Sequence, residues 1–175
     1  MIRLAVVGDI GSGKSYVAKQ FGYPVFNADA EVAKLYKKSR KCYNKLKKVL
    51  PAYIVSFPIK KNEISKAIIA SQHNLKKIVK IIHPEVRSSM NVFIRKNKNK
   101  KFIVLDIPLL MENKINKKSD ILIFVDAKKK EINKRLKKRS NINLEIVKKF
   151  KKLQLPLEFK KKQSNFIIKN NFRNN

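Results

Sequence analysis

An α/β fold, with a parallel sheet covered by helices on both faces, is what this sequence predicts. Short apolar runs recur at Ile2–Val7, Tyr23–Phe26, Phe102–Ile107, Ile121–Val125 and Phe166–Ile168. Stretches with apolar residues at helical spacing separate them. The runs are apolar throughout rather than alternating, which marks strands buried on both faces.

The elements follow in order. Ile2–Val7 is a strand ended by Gly8, and Ser12–Phe21 a helix stopped at Gly22. Tyr23–Phe26 is a short second strand running into Asn27-Ala28-Asp29. From Ala30 to about Leu50 the pattern is helical and dense in lysine. Pro51 and Pro58 bracket an irregular stretch. Between Glu63 and Ile82, Ile64, Ala67, Ile68, Leu75, Ile78, Val79 and Ile82 line one helical side. His83-Pro84 is expected to interrupt that helix, which resumes from Val86 to about Lys96. Lys96–Lys101 is polar and reads as a loop. The strands at Phe102 and Ile121 end at Pro108 and Asp126. Lys130–Lys138 and Leu144–Leu155 are basic helices, the second stopped by Pro156, and Phe166–Ile168 is the last strand. Ligand chemistry in such a fold gathers at the carboxyl ends of the strands. Here those ends are Gly8, Asn27-Ala28-Asp29, Asp106-Ile107-Pro108 and Asp126.

Three of the four glycines, Gly8, Gly11 and Gly13, fall within six residues, directly after the first strand. Gly8-Asp9-Ile10-Gly11-Ser12-Gly13-Lys14-Ser15 fits G-x-x-x-x-G-K-[ST], the P-loop that cradles nucleotide phosphates with backbone N–H groups. In that pattern Lys14 reaches the β- and γ-phosphates and Ser15 is the Mg²⁺ ligand. The pattern implies a nucleotide without saying what becomes of its phosphate. Asp29, just past the second strand, has two readings: a base for a phosphoryl-accepting hydroxyl, or the N-cap of the helix that follows.

Composition narrows the class. The 175 residues suffice for one sizeable core, and no apolar run approaches the roughly 20 residues of a membrane span. The single cysteine, Cys42, excludes an internal disulfide, and the chain is expected to be cytoplasmic with no membrane partner. The formal charge of +31 invites a nucleic-acid reading. However, Lys outnumbers Arg 36 to 7, and Ile (21) and Asn (17) are also heavy. That profile fits A/T-rich codons better than selection for arginine, the preferred group for bidentate phosphate and base recognition. Nucleic acid is therefore expected only as a nonspecific charge partner. Oligomeric state is not fixed by the sequence.

Further along, the phosphate-loop residues Ile10–Ser15 are followed by Val25-Phe26-Asn27-Ala28-Asp29, then Ile82-His83-Pro84-Glu85-Val86-Arg87, then Asp106-Ile107-Pro108-Leu109-Leu110-Met111-Glu112. Arg135-Leu136-Lys137-Lys138-Arg139, Gln154 and Ile168-Lys169-Asn170 complete the series, which spans residues 2 to 171. In this order the motifs resemble those of the dephospho-coenzyme A kinases. The resemblance implies a three-layer P-loop kinase fold with a parallel sheet. It also implies a small helical acceptor-binding subdomain at about residues 30–100 and a lid at about residues 127–156.

The implied reaction is ATP-dependent phosphorylation of the ribose 3′-hydroxyl of dephospho-coenzyme A, the last step of coenzyme A synthesis, with Mg²⁺. Asp29 is then the base, and Lys14 and Arg135 complete the catalytic set. Gly11, Ser12, Gly13, Lys14, Ser15 and Tyr16 bind ATP. Asp29, His83, Arg87, Glu112 and Arg139 face the acceptor. Asn27 stands where that family has its first Asp, Tyr16 where it has Thr, and Glu131 where its lid helix has Gln. The segment between Lys37 and Glu63 is shorter than in that family. Two other readings stay open: a P-loop kinase for another nucleoside or nucleotide, or a basic nucleic-acid-binding protein with a regulatory P-loop.

Overall fold

The computed structural model describes residues 1–138 and 143–172. Its strands are β1 (Ile2–Gly8), β2 (Val25–Asn27), β3 (Phe102–Asp106), β4 (Ile121–Asp126) and β5 (Phe166–Lys169). Its helices are α1 (Lys14–Gln20), α2 (Ala28–Lys38), α3 (Arg40–Val49), α4 (Lys61–Ala70) and α5 (Gln72–Lys96), followed by α6 (Lys129–Lys138), α7 (Leu144–Lys151) and α8 (Leu157–Lys162). The strands form one sheet in the order β2-β3-β1-β4-β5, and every pairing is parallel, as the unbroken apolar runs predict, but β5, at the sheet edge, is largely exposed rather than buried on both faces.

β1 is the central strand. Alternate residues divide it between two faces. Leu4 and Val6 join Val104, Ile123 and Val125 in a buried cluster with Val17 and Ala18 of α1. Ala5, Val7, Ile103, Leu105, Leu122 and Phe124 have the opposite parity and are equally buried. The register brings Val6 level with Asp106 and Asn27 level with Asp106, so three strands end side by side. The chain leaves β1 for β2 on one side, and β4 lies on the other. The carboxyl end of β1 is thus the switch point where such sheets bind ligands.

The chain divides into two compact units, one of Met1–Asn27 with Ile94–Asn175 and one of Ala28–Phe93. The second is helical. Its core comprises Cys42, Leu46, Leu50, Ile54, Ile59, Ile64, Ala67, Ile68, Leu75, Ile78 and Ile82, all buried.

The structure corrects the helix boundaries here. The helix expected from Ala30 to Leu50 is two helices, parted at Ser39, whose extended backbone and side chain cap α3 by accepting from Cys42 N at 3.2 Å. The helix expected from Glu63 is also two. Ser71 is extended between them, and its hydroxyl accepts from Asn74 N at 3.0 Å. His83-Pro84, expected to interrupt, lies inside α5. Pro84 cannot donate to the carbonyl one turn back, a loss of roughly 3 kcal/mol in a helix interior. The stripe of buried Leu75, Ile78, Ile82 and Met90 continues across it and outweighs that loss. The helix expected to run to Leu155 stops at Lys151, and α8 was not predicted.

At the amino end of the sheet, Arg3 Nη2 donates to Asp120 Oδ2 at 2.7 Å, with both side chains buried. The same oxygen accepts from Lys117 N at 2.9 Å, so the pair pins the approach to β4 against β1. Asp120→Ala would leave the guanidinium buried without its counter-charge. It is expected to lower unfolding free energy by about 3–5 kcal/mol. Urea denaturation followed by circular dichroism checks this, and an unchanged midpoint would contradict it.

Candidate active site

The loop from Gly8 to Gly13 leaves β1 and enters α1 through backbone that only glycine adopts comfortably. Gly8 has φ +145° and Gly13, the residue preceding α1, has φ +93°. A Cβ on Gly8 would lie 2.7 Å from Val125 O, and one on Gly13 would collide with the Asn170 amide. The chain therefore passes close to β4 and to the exit of β5 with no side chain in the way. This is the backbone geometry of a phosphate cradle, and the start of α1, where Tyr16 N donates to Gly13 O at 3.0 Å, carries the positive end of the helix dipole.

Side chains hold the loop from several directions. Ser12 N donates to Asp9 O at 3.1 Å, and Ile10 N to Asp9 Oδ1 at 2.6 Å. Lys14 Nζ folds over the loop, donating to Asp9 O at 2.8 Å and Gly8 O at 3.4 Å. Asn170, just past β5, donates through Nδ2 to Ser12 O at 2.9 Å. Its own backbone N–H binds Asp126 O at 2.7 Å, so the ends of β4 and β5 are joined to the loop. Ser12 is fully buried, and its hydroxyl has no hydrogen-bond partner among the described residues. Ser15 and Tyr16 are exposed at the start of α1.

A second layer lies beneath the loop. Lys160 of α8 is 2% exposed and pairs with Glu112 Oε1 at 3.1 Å. That oxygen also accepts from Leu155 N at 3.0 Å. Taken in the orientation that matches both amide atoms to their neighbours, Gln154 donates to Asp9 Oδ1 at 3.0 Å and accepts from Lys160 Nζ at 3.1 Å. Lys151 approaches Asp9 Oδ2 at 3.5 Å. Glu112, matched by resemblance to an acceptor contact, thus gives one oxygen to this layer.

Arg135 of α6 is half-buried, with its guanidinium 4.2 Å from the ring centre of Phe172, a cation–π contact. Arg139 lies outside the described residues. At the end of β2, Asn27 Nδ2 donates to the buried Asp106 Oδ2 at 2.5 Å. An amide in place of a second carboxylate turns what would be like-charge repulsion into a hydrogen bond.

The remaining candidates lie in the helical unit. Asp29 is exposed and is the second residue of α2, inside the first turn rather than before it. His83 and Arg87 are one turn apart on α5. Burial, and then the Arg87 charge, lower the His83 pKa from its usual 6.5. Glu85 between them is held by Lys41 at 2.7 Å and Lys45 at 3.8 Å, both from α3.

Sequence reasoning missed Lys160 and Phe172. Lys160 opens a run of three lysines and looks like solvated surface, and only its burial sets it apart. Phe172 follows the last motif and carries no pattern of its own.

A model of the dephospho-CoA kinase family matches residues 2–174. A dephospho-CoA kinase of Wolbachia pipientis wMel is 36% identical over 170 residues, covering 94% of this chain and 87% of that one. One from Bartonella quintana is 33% identical over the same shares of both chains. Among solved structures, TT1252 from Thermus thermophilus superposes with a TM-score of 0.74 at 28% identity, covering 97% of this chain and 88% of that one. Dephospho-CoA kinase from Campylobacter jejuni shares the fold, with a TM-score of 0.63 at 22% identity, covering 96% of this chain and 87% of that one. With a glycine cradle at the switch point of a parallel sheet and a match along nearly its whole length, this chain belongs to the dephospho-CoA kinase family.

Proposed function

We propose that this chain transfers the γ-phosphoryl group of ATP to the ribose 3′-hydroxyl of dephospho-coenzyme A, releasing coenzyme A and ADP in the cytoplasm. The observation that carries this reading is the family match over residues 2–174, in a chain whose loop at Gly8–Ser15 has the backbone of a phosphate cradle. A new bond forms between the 3′-oxygen and the γ-phosphorus, and the bond from that phosphorus to the β,γ-bridging oxygen breaks. Asp29 takes the hydroxyl proton. Lys14 leaves the loop carbonyls for the phosphate oxygens, while the loop from Gly11 to Tyr16 cradles those same oxygens. Arg135 neutralises charge on the transferring group, with Arg139 on the acceptor side. His83 and Arg87 bind the acceptor, and Glu112 fixes the turn after β3.

The described residues include no group of three or more His, Cys, Asp or Glu side chains able to hold a metal. The Ser15 hydroxyl, exposed at the start of α1, would be the protein ligand of Mg²⁺, which keeps waters and binds chiefly through nucleotide phosphates. When bound it supplies Lewis-acid charge neutralisation at the β- and γ-oxygens. No helix among the described residues is long and apolar enough to cross a membrane, and both substrates are water-soluble.

Purified protein given Mg-ATP and dephospho-coenzyme A is expected to form coenzyme A, with Lys14→Ala reduced by about 100-fold or more. Chromatography of the products decides it, and equal turnover by both proteins would refute the assignment. Asp29→Asn keeps the side-chain shape and removes the base. Its kcat is expected to fall by about 10²- to 10⁴-fold with ATP affinity unchanged. A near-normal kcat would reduce Asp29 to a helix-terminal charge.

His83 adds a pH signature. Its folded-state pKa lies below 6.5, so its neutral form contributes stability that is whole above pH 6.5 and lost as pH falls through the folded value. An NMR titration is expected to show its midpoint below 6.5. Arg87→Gln should raise that midpoint only in part, because burial is the larger cause. A wild-type midpoint at or above 6.5 would contradict this.

A further inference from the structure

The Gly8 carbonyl lies within reach of two ammonium groups, Lys14 Nζ at 3.4 Å and Lys160 Nζ at 3.5 Å. We propose that Lys160 is a positioning residue for ATP binding, holding the Gly8 carbonyl and the start of the phosphate loop when Lys14 turns to the nucleotide. The two lysines differ in their freedom. Lys14 is half-buried and belongs to the loop that takes the phosphates. Those phosphates compete for an ammonium that otherwise bonds to two loop carbonyls.

Lys160 cannot follow. The residue is 2% exposed, and its ammonium is held by Glu112 Oε1 at 3.1 Å and Gln154 Oε1 at 3.1 Å, with Glu112 balancing its charge. A buried C=O without a donor costs free energy, and here the donor on one side is permanent.

The hold extends beyond one carbonyl. Gln154 passes it to Asp9 Oδ1, which also accepts from Ile10 N. Glu112 passes it to Leu155 N. One buried cation therefore joins the first peptide of the loop, the turn after β3, the connection from α7 to α8, and α8 itself. The Lys160 ammonium, the positive end of the pair with Glu112, is the end that reaches the loop. Every group in this network belongs to one compact unit.

The inference rests on the ATP-binding reading of the loop, and the test separates the two. Lys160→Met alone would strand Glu112 as a buried unpaired charge and lower stability for a reason unrelated to the nucleotide. Lys160→Met with Glu112→Gln removes both charges, keeps the volume and keeps an acceptor for Leu155 N. ATP binding is measured by titration calorimetry without the acceptor, on this double variant, on Gln154→Leu and on the wild type, with thermal melts of each.

The double variant is expected to melt near the wild type and to bind ATP about tenfold more weakly. Gln154→Leu keeps the ion pair and severs the link to Asp9. It is expected to raise Kd and KM for ATP about threefold, with KM for dephospho-coenzyme A unchanged. A folded double variant with wild-type ATP affinity overturns the proposal. If that variant does not fold, wild-type ATP affinity in Gln154→Leu overturns it instead. Absence of ATP binding by the wild type overturns the reading of the loop as well.

Discussion

A phosphate cradle forms only where backbone passes close to backbone with nothing between, and in this protein that requirement falls on Gly8 and Gly13. A Cβ at Gly8 would press on Val125 O, and one at Gly13 would meet Asn170. Both neighbours come from the carboxyl ends of strands on the same side of β1. The loop is therefore only as well placed as the sheet that brackets it. The parallel register of β1, β4 and β5 is what brings Val125 and Asn170 alongside. Asn170 repays the close approach by bonding to Ser12 O, so one contact is both a steric limit and a tether.

Charge is managed differently in the interior and at the surface. Most of the 43 basic side chains are lysines, and in solvent they are screened and contribute little individually. Buried charges must be paired or hydrogen-bonded. Arg3 with Asp120 closes the amino end of the sheet, and Lys160 with Glu112 lies at the carboxyl end beneath the phosphate loop. The first pair holds a connection to the sheet. The second, through Gln154 and Gly8, reaches the glycine loop after β1. The net charge of +31 describes the solvent boundary and says little about either pair.

Much of the fold was legible because parallel strands leave a simple trace. Runs such as Ile121–Val125 have no polar face, so each was readable as a strand from composition alone. The phosphate loop was legible for a related reason, since its glycines answer local backbone needs. The helical unit was harder to read. Ser39 and Ser71 divide what looked like continuous helices, because a hydroxyl that caps one helix is hard to tell from a hydroxyl on the surface of another. Pro84 misled in the other direction. Its local cost is real, but the packed stripe from Leu75 to Met90 carries α5 through it.

The sequence by itself determined the sheet class, the loop at Gly8–Ser15 and, through the order of its motifs, the family. These are local or ordinal properties that a linear chain displays directly. Only the tertiary structure decided which charges are interior. Lys160, Lys161 and Lys162 are the same residue three times over. The packing of α8 buries the first beside Glu112 and Gly8 and leaves the second paired with Asp126 in partial solvent. Burial depends on what other segments bring alongside, and the physical role of a lysine follows from its surroundings.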